Sequence, residues 1–413
     1  MDFIITSLQS WDIEIGSTIK NTALEISKSH RVLYVNPPMD LATRLRIALK
    51  SAHPSPAQQR QMEVIQSKSS PLRRLNENLW VLDCPFTIHS VGQLPKPLFD
   101  TLNRRNNKKI GCWIVEQAAT LGFKEYIHLI DTDLFRSLHL REYIRPKISI
   151  YYRRDYVIGF PYWRKHGPRC EEALVRQSDI VLANSSYFVE QLRPWNPRTH
   201  ALNTGVNLEL YDATQQWTKP SELQGIKSPI IGYTGAIIES RLDSNLLYKV
   251  IKKLPEYNFV FVGPEDEHFK NHPLHQLQNV HFTGSKQVEE LPQYIQHFDV
   301  CINPQILNPI TDGNYPLKID EYLAMGKPVV ATNTHTMRAV FAGHTHLATS
   351  IEEWFEALKT AIGETHNQDL ANIRITFAHT HSWAHSVKTI YQSIEEYKSS
   401  LPQKSHPAPK VFL

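Results

Sequence analysis

Short apolar runs alternate with longer amphipathic segments, and the alternation begins at the first residues of the chain. The runs that predict strands in the first half are Phe3–Thr6, Arg31–Val35, Leu79–Leu82, Tyr126–Ile130, Lys147–Tyr152, Asp179–Ala183 and Thr199–Leu202. Helical patterns lie between them, at about residues 16–29 and at Cys170–Gln177. Strands that alternate with helices are typical of βαβ units, so the first half predicts a parallel sheet covered by helices.

The second half repeats this alternation. Strands are predicted at Pro229–Tyr233, Asn258–Val262, Val280–Thr283, Asp299–Ile302 and Pro328–Thr332, and helices at Leu246–Leu254, Leu291–His297, Ile319–Met325 and about Ala384–Tyr397. The predicted fold class is therefore α/β, with two parallel-sheet units in tandem. Open α/β sheets bind ligands at the carboxyl ends of their strands, so the chemistry is expected in the loops that follow the strands.

Shifts in composition predict the domain boundaries. The predicted parts are a first domain at 1–205, a polar linker at 206–227, a second domain at 228–378, and a C-terminal helix and tail at 379–413. The C-terminal helix is expected to pack back on the first domain. Residues 51–72 are polar and contain several Ser, Pro and Gln, which predicts a surface insertion or mobile loop.

Composition places the chain among globular proteins. Of its 413 residues, 41% are hydrophobic and 21% are charged, and no apolar stretch is long enough to cross a membrane. The first residues lack the basic and apolar regions of a signal peptide. The four cysteines are far apart in sequence and form no C-x-x-C pair, so neither a zinc site nor a disulfide framework is expected. These features favour a cytoplasmic protein.

Charge is unevenly divided between the two halves. Residues 1–200 hold 28 basic and 19 acidic side chains, a net charge of +9, whereas the remainder holds 17 and 22, a net charge of −5. A basic half attracts anionic lipid, nucleic acid or phosphorylated substrates. The alternative is an ordinary solvated surface on which charge is scattered without a partner.

The segment from Asn314 to Thr332 carries the sharpest chemical signal. A loop leads into a short helix, Gly326 can end that helix, and Pro328 begins an apolar strand. The free N–H groups and positive dipole end of such a helix suit a diphosphate, and Lys318 adds a cation at the same place. Glu321, one turn further along, can accept hydrogen bonds from the two hydroxyl groups of a ribose.

This segment resembles the hallmark of the GT-B glycosyltransferases, and most closely that of the family-4-like enzymes of bacterial surface polysaccharide synthesis. Tyr315-Pro316-Leu317 matches their Phe-Gly-Leu element, and Glu321 through Val330 matches Glu-Ala-Met-Ala-x-Gly-x-Pro-Val-Val. The resemblance implies two Rossmann-like, doubly wound domains that face a central cleft. It also implies that Glu321 holds the ribose of the donor and that the backbone amides before it bind the diphosphate.

Other segments agree with the family in order and spacing. The residues that the resemblance assigns to donor binding are Gly16, Thr234, Gly235, Arg241, Gly263, Pro264, Gly284, Tyr315, Pro316, Leu317, Lys318 and Glu321. Three of them have structural alternatives. Glu321 could form a salt bridge with Lys318, Arg241 could be an ordinary surface residue, and Tyr315 could fill the core.

The chain departs from the family pattern at two positions. The first acidic residue of the family, eight before Glu321, falls at Gly313, and Asp312 is the adjacent carboxylate. The arginine that usually follows the glycine is Ala236, and Lys318 is the cation available to replace it. Both departures bear on the retaining stereochemistry that the resemblance implies.

The first domain is expected to supply the acceptor side and the catalytic groups. Asp155 follows a central strand, so its carboxylate could accept a proton from the acceptor or stabilise an oxocarbenium-like state. The alternative is a salt bridge to Arg153 or Arg154. His166 is the second catalytic candidate, with helix capping as the alternative. Asp131-Thr132-Asp133 has the letters of a metal-binding Asp-x-Asp motif, but its place in the acceptor half predicts a strand-to-helix turn.

Together with these features, the resemblance implies a glycosyltransferase, of hexosyltransferase type and retaining. The predicted donor is a nucleotide-diphosphate sugar, and the predicted acceptor is a saccharide or a lipid-linked sugar in surface polysaccharide biosynthesis. No cofactor, metal or nucleic acid is expected. The predicted location is the cytoplasm, with peripheral attachment to an anionic inner membrane face. The alternatives are a nucleotide-sugar epimerase of GT-B fold and a non-catalytic nucleotide-sugar-binding subunit.

Overall fold

A computed structural model describes residues 1–13, 17–51 and 53–401. Within those residues the first sheet has eight strands in the order β3-β4-β2-β1-β5-β6-β7-β8. Their bounds are β1 Asp2–Ser7, β2 Arg31–Val35, β3 Leu72–Arg74, β4 Leu79–Leu82, β5 Tyr126–Asp131, β6 Ile148–Arg153, β7 Ile180–Ala183 and β8 Thr199–Ala201. All neighbours pair in parallel except β3 with β4.

Helices cover both faces of this sheet because the central strands are apolar on both sides, as β7 illustrates with four buried residues in succession. The helices are α1 Thr18–Ser27, α2 Leu41–Ala48, α3 Pro56–Ile65, α4 Lys96–Thr120, α5 Leu140–Ile144, α6 Pro161–Arg164, α7 Gly167–Gln177 and α8 Ser186–Leu192. One face of the sheet is also covered from the far end of the chain, because Ile390 and Ile394 of α15 (Trp383–Ser400) lie in the same apolar cluster as α1.

In the described residues the second sheet has six strands, all parallel, in the order β11-β10-β9-β12-β13-β14. The strands are β9 Ile230–Thr234, β10 Asn258–Val262, β11 Val280–Phe282, β12 Val300–Asn303, β13 Val329–Thr332 and β14 His346–Ala348. The helices are α9 Ser244–Lys252, α10 Glu267–Lys270, α11 Leu291–Gln296, α12 Leu317–Ala324, α13 Ile351–Gly363 and α14 Gln368–His379.

Each sheet reverses its strand order once, and the reversal locates a crevice. In the first sheet it lies between β1 and β5, and in the second sheet between β9 and β12. Loops leave such a pair of strands in opposite directions, so a ligand can enter between them at the carboxyl edge. A ligand-binding site is therefore expected at each of the two reversal points.

Several elements differ from the sequence prediction. Residues 51–72 are not simply a loop, because Ser55 caps α3 and Gln58 completes a capping box. The prediction missed this helix because its polar residues mask a weak amphipathic pattern. The 25-residue α4 was also missed, since buried Asn103, Asn106 and Asn107 interrupt its apolar face. Their amides bind backbone groups of neighbouring loops, so polarity here does not indicate exposure.

Candidate donor and acceptor sites

Two glycines hold the strand ends of the second domain close together. Gly235 follows β9 with φ +122°, and Gly263 follows β10 with φ +151°. A Cβ atom on Gly263 would lie 2.0 Å from the carbonyl oxygen of Gly235, so no side chain fits between the two loops. The Gly235 N–H donates to Val262 (2.9 Å) and the Gly263 N–H to Gly284 (2.9 Å). This ladder forms one wall of the crevice beside β9.

Helix α12 begins on the other side of that crevice. Its N-cap residue is Pro316, which provides no side-chain hydrogen bond to the first turn. The first N–H groups, at Leu317 and Lys318, are consequently left for a ligand or solvent. The positive end of an eight-residue helix therefore points to the place where the strand order reverses.

Lys318 bridges the two sides of this crevice. Its ammonium donates to the Tyr233 hydroxyl at 2.7 Å, and its Nζ would lie 2.9 Å from a Cβ atom on Gly235. The Tyr233 hydroxyl in turn donates to the carbonyl of Ala236 at 2.9 Å. Lys318 therefore lies at the loop where the family arginine is replaced by Ala236.

Electrostatics leave the Lys318 ammonium easy to deprotonate. Burial and the neighbouring charge of Arg241 lower the pKa of Lys318 to about 7, against an opposing contribution from Glu321. The Arg241 backbone accepts from the N–H of Ile306 (2.9 Å), which ties its loop to the loop after β12. The structure thus brings Arg241 and Lys318 close enough in one crevice for their charges to repel.

Glu321 lies one turn inside α12, with its side chain partly buried. Burial raises the pKa of Glu321 to about 7, opposed by the charge of Lys318 and by the nearby Tyr211 hydroxyl. Among the described residues, Lys318 donates to Tyr233 and makes no salt bridge with Glu321. The structural alternative, a salt bridge between Glu321 and Lys318, is therefore not formed among the described residues.

The side chain of Tyr315 belongs to the core. It is buried, and its hydroxyl donates to Asp320 at 2.7 Å beside His381. His381 Nδ1 also lies 2.8 Å from the Asp320 carboxylate. The Tyr315 side chain therefore fills the core, as the structural alternative expected. The backbone of Tyr315 is the part that could contact a donor. This network fixes the loop that leads into α12.

The Gly313 position has no room for the family's acidic residue. A Cβ atom there would lie 2.3 Å from Tyr187 and 2.6 Å from Phe188, both on α8 of the first domain. The Gly313 carbonyl accepts from the Ser185 hydroxyl at 2.7 Å. The adjacent Asp312 accepts from the backbone N–H of His335 at 2.7 Å, so its carboxylate fastens a neighbouring loop.

This contact between domains predicts a measurable cost for any side chain at position 313. Gly313→Ala is expected to lower the free energy of unfolding by about 1–3 kcal/mol, because the new methyl group overpacks two aromatic rings. Thermal denaturation measures the change. Gly363→Ala is the control, since its Cβ meets nothing within 4 Å and helix propensity favours alanine. An unchanged melting temperature for Gly313→Ala would contradict the close packing.

In the first domain, charged side chains meet at the strand-order reversal. Asp131, at the end of β5, accepts from the Ser7 hydroxyl at 2.7 Å and from the Arg154 guanidinium at 3.0 Å. Arg154 also pairs with Asp155 at 2.8 Å, and the Asp155 side chain is 25% exposed. The salt bridge to Arg154, which was the structural alternative for Asp155, therefore forms, and the Asp155 carboxylate stays partly exposed at the end of β6.

His166 lies in the interior of the first domain. Its ring is 2% exposed, stacks on Phe99 with centroids 4.1 Å apart, and places Nε2 2.8 Å from the carbonyl oxygen of Leu94. It occupies the N-cap position of α7 but makes no side-chain capping bond. The structure therefore supports neither a role at the crevice nor the predicted capping role. Gly16 lies outside the described residues.

A cavity of about 270 Å³ lies in the first domain, at the loops after β2, β4 and β5. Its lining combines charged, polar and aromatic side chains, among them Asp40, His89, Asn103, Asp133, Arg136 and Trp163. Arg136 Nε contacts both oxygens of Asp133 at 3.1 Å. The buried side-chain oxygen of Asn103 has no hydrogen-bond partner among the residues that the structure describes, so a ligand hydroxyl could supply one.

The sequence prediction missed the Asp131–Arg154 pair and this cavity. Asp131-Thr132-Asp133 was assigned to a turn, although it supplies one carboxylate to the pair and another to the cavity. The available signal was its place at the end of a buried strand, where a parallel sheet collects its functional groups. In the described residues no cluster of three or more His, Cys, Asp or Glu is arranged to hold a metal ion.

Comparisons with known proteins agree with this architecture. Residues 228–366 match the model of a family described as Glycosyl transferases group 1. Over 231 residues the chain is 28% identical to TuaH of Bacillus subtilis (strain 168), named as a teichuronic acid biosynthesis glycosyltransferase, and the match covers 53% of this chain and 57% of TuaH.

Solved structures match along nearly the whole chain. The sucrose-phosphate synthase of Thermosynechococcus elongatus has a TM-score of 0.67 at 14% identity, covering 97% of this chain and 100% of that one. HepE of Anabaena, solved with UDP-glucose, has a TM-score of 0.60 at 17% identity with the same coverage. At these identities the likeness establishes the fold, and the predicted GT-B architecture is confirmed.

The match over residues 228–366 and the shared fold confirm the predicted resemblance to GT-B glycosyltransferases. The TuaH match spans little more than half of either protein. No helix among the described residues is long and apolar enough to cross a membrane.

Proposed function

We propose that this protein is a glycosyltransferase that transfers a sugar from a nucleotide-diphosphate donor to a saccharide or lipid-linked acceptor in surface polysaccharide synthesis. The observation that carries the proposal is the meeting of Lys318, the start of α12 and the Gly235 loop at the reversal point of the second sheet. A diphosphate needs such a place, where N–H groups and cations converge and no side chain blocks the backbone.

Each part of the donor has a candidate partner. The diphosphate binds the Leu317 and Lys318 N–H groups, with Lys318 and Arg241 as counter-charges. The ribose hydroxyl groups donate to Glu321. The base lies toward Gly263, Pro264 and Gly284, at the ends of β10 and β11. A UDP-linked hexose is the donor we favour, because HepE was solved with UDP-glucose and shares the fold.

Transfer requires the bond between the sugar and the diphosphate to break and a bond to the acceptor oxygen to form. Negative charge develops on the leaving diphosphate, where the α12 dipole and the two cations stabilise it without a metal. The acceptor hydroxyl loses its proton as it attacks. Asp155 is our candidate to accept that proton or to stabilise the positive charge on the sugar. A retaining outcome is proposed on the family resemblance.

The acceptor is proposed to bind in the first domain. The cavity lined by Asp133, Arg136 and Trp163 has carboxylate and guanidinium groups for hydroxyls beside an aromatic surface for a sugar ring. The net positive charge of residues 1–200 supports attachment to an anionic membrane face, where a lipid-linked acceptor would be found. TuaH, named for teichuronic acid biosynthesis, supports a surface polysaccharide as the product.

Ligand-induced stabilisation tests the donor assignment. UDP at 100 times its dissociation constant should add about 2.7 kcal/mol of apparent stability, because it binds only the folded state. A panel of nucleoside diphosphates, read by thermal shift, should show one clear preference. Nucleoside monophosphates are the control, since they lack the second phosphate. Failure of every nucleotide to shift the melting temperature would overturn the proposal.

The epimerase is the second candidate, because the same donor groups would serve it. Incubation with the UDP-sugar alone separates the two reactions. A transferase leaves the sugar configuration unchanged without an acceptor, whereas an epimerase converts it. A binding subunit would give the thermal shift but neither product.

A further inference from the structure

Helix α2 presents an apolar stripe to solvent. Leu41 is 46% exposed, Leu45 59% and Leu49 69%, and none of the helix residues is buried. At 3.6 residues per turn these leucines fall within about 80° of arc. The opposite side, with Thr43 and Ile47, is the one that is partly buried. Leucine is a costly choice for a solvent-facing stripe unless another surface covers it.

Basic side chains flank the stripe. Arg44 lies on one side and Arg46 on the other, and Lys50 follows just after the helix; all three are exposed. Between Asp40 and Glu63 the sequence has no acidic residue. Asp40 itself is engaged, since it caps the helix by accepting from the Thr43 N–H at 2.9 Å. The face of α2 that meets solvent is therefore apolar in the centre and positive at both edges.

From these observations we infer that α2 is an interfacial helix that docks this protein on an anionic lipid bilayer. Leucines enter the boundary between head groups and acyl chains, and the flanking cations contact anionic head groups. A second copy of the chain fits less well, because facing α2 helices would oppose their cations. Three leucines also expose far less than the roughly 800 Å² per partner of a stable dimer.

Docking through α2 would place the cavity of the first domain beside the lipid. Asp40, at the start of α2, and Arg46, within it, both line that cavity. The helix that carries the leucines therefore also adjoins the cavity. A sugar carried on a lipid could reach the cavity from the bilayer surface. This reach depends on the proposed function, whereas the docking itself does not.

Vesicle flotation of the full chain, without donor or acceptor, tests the docking. Vesicles of phosphatidylglycerol in phosphatidylcholine should bind the protein, and vesicles of phosphatidylcholine alone should bind it much more weakly.

Leu45→Ser with Leu49→Ser should weaken binding about tenfold or more, since two inserted side chains are lost. Arg44→Gln with Lys50→Gln should weaken binding to anionic vesicles by about tenfold. Ile373→Ser on α14, where the side chain is 51% exposed, is the matched control and should bind normally.

Hydrogen exchange supplies a second readout that does not depend on variants. The amides of residues 41–50 should exchange more slowly with anionic vesicles present. Unchanged exchange, or normal vesicle binding by the double leucine variant, would overturn the inference. So would a leucine variant that lost a dimer but kept its vesicle binding, because the stripe would then cover a second copy. UDP binding by the same protein would leave the transferase proposal standing in each case.

Discussion

Glu321→Ala is expected to lower kcat/KM for the donor by about 100-fold. The substitution removes the carboxylate that accepts two charge-assisted hydrogen bonds from the ribose. Such bonds are worth about 1.5–3 kcal/mol each before partial compensation by water. The ribose lies away from the bond that breaks, so the interaction is the same in the ground and transition states. Most of the loss should therefore appear in KM and not in kcat.

Two comparisons sharpen this test. Glu321→Gln keeps the shape but not the charge, so it should fall between the wild type and alanine. Glu256→Ala is the control, because Glu256 is exposed and precedes β10 at the opposite edge of the sheet. Calorimetry should show the same loss of affinity for UDP as the kinetics show for the donor. A fall in kcat with unchanged UDP affinity would mean that Glu321 acts elsewhere than on the ribose.

Local sequence signatures explain why the place of Glu321 in α12 could be predicted from the sequence. The motif from Tyr315 to Val330 joins a loop, a helix and a buried strand, and each part has a local signature: Pro316 before the helix, Gly326 after it and an apolar run at Val329. Local signatures of this kind depend on backbone geometry and survive without knowledge of the tertiary fold.

Contacts between distant segments were beyond the reach of the sequence. The replacement of the family's acidic residue by Gly313 is understood only when α8 is seen to pack against it with Tyr187 and Phe188. The position of Lys318 beside the Gly235 loop likewise depends on strands β9 and β12 being neighbours. Sequence spacing places each residue at the end of an element, but it does not give the partner on the next element.

His166 shows the opposite error. A histidine near a cleft strand suggested catalysis, yet the ring fills a buried position against Phe99 and Leu94. The position of a histidine in the sequence does not show whether its side chain is buried, since the same residue type serves as a hydrogen-bonded core group or as a proton carrier. Asp155, by contrast, lies at a strand end that the βαβ pattern itself predicts to be exposed.

The affinity for UDP is expected to fall as the pH rises above about 7.5. In the free protein, burial and Arg241 lower the pKa of Lys318 to about 7, so the amine is mostly neutral at pH 8. A bound diphosphate would raise that pKa, and binding would then take up a proton. The affinity should be highest near pH 7 and decline by up to tenfold per pH unit until the pKa of the bound state is reached.

Calorimetry in buffers of different ionisation enthalpy should show this proton uptake directly between pH 7.5 and 9. Glu321, whose pKa is raised to about 7, is mainly ionised throughout that range and contributes little to the change. Lys318→Met keeps the length of the side chain without the charge, so it should bind UDP about 10–100-fold more weakly at pH 7 and lose the pH dependence. If the UDP affinity of Lys318→Met still fell as the pH rose, the proton would belong to another group. Lys318 would then not be part of the diphosphate site.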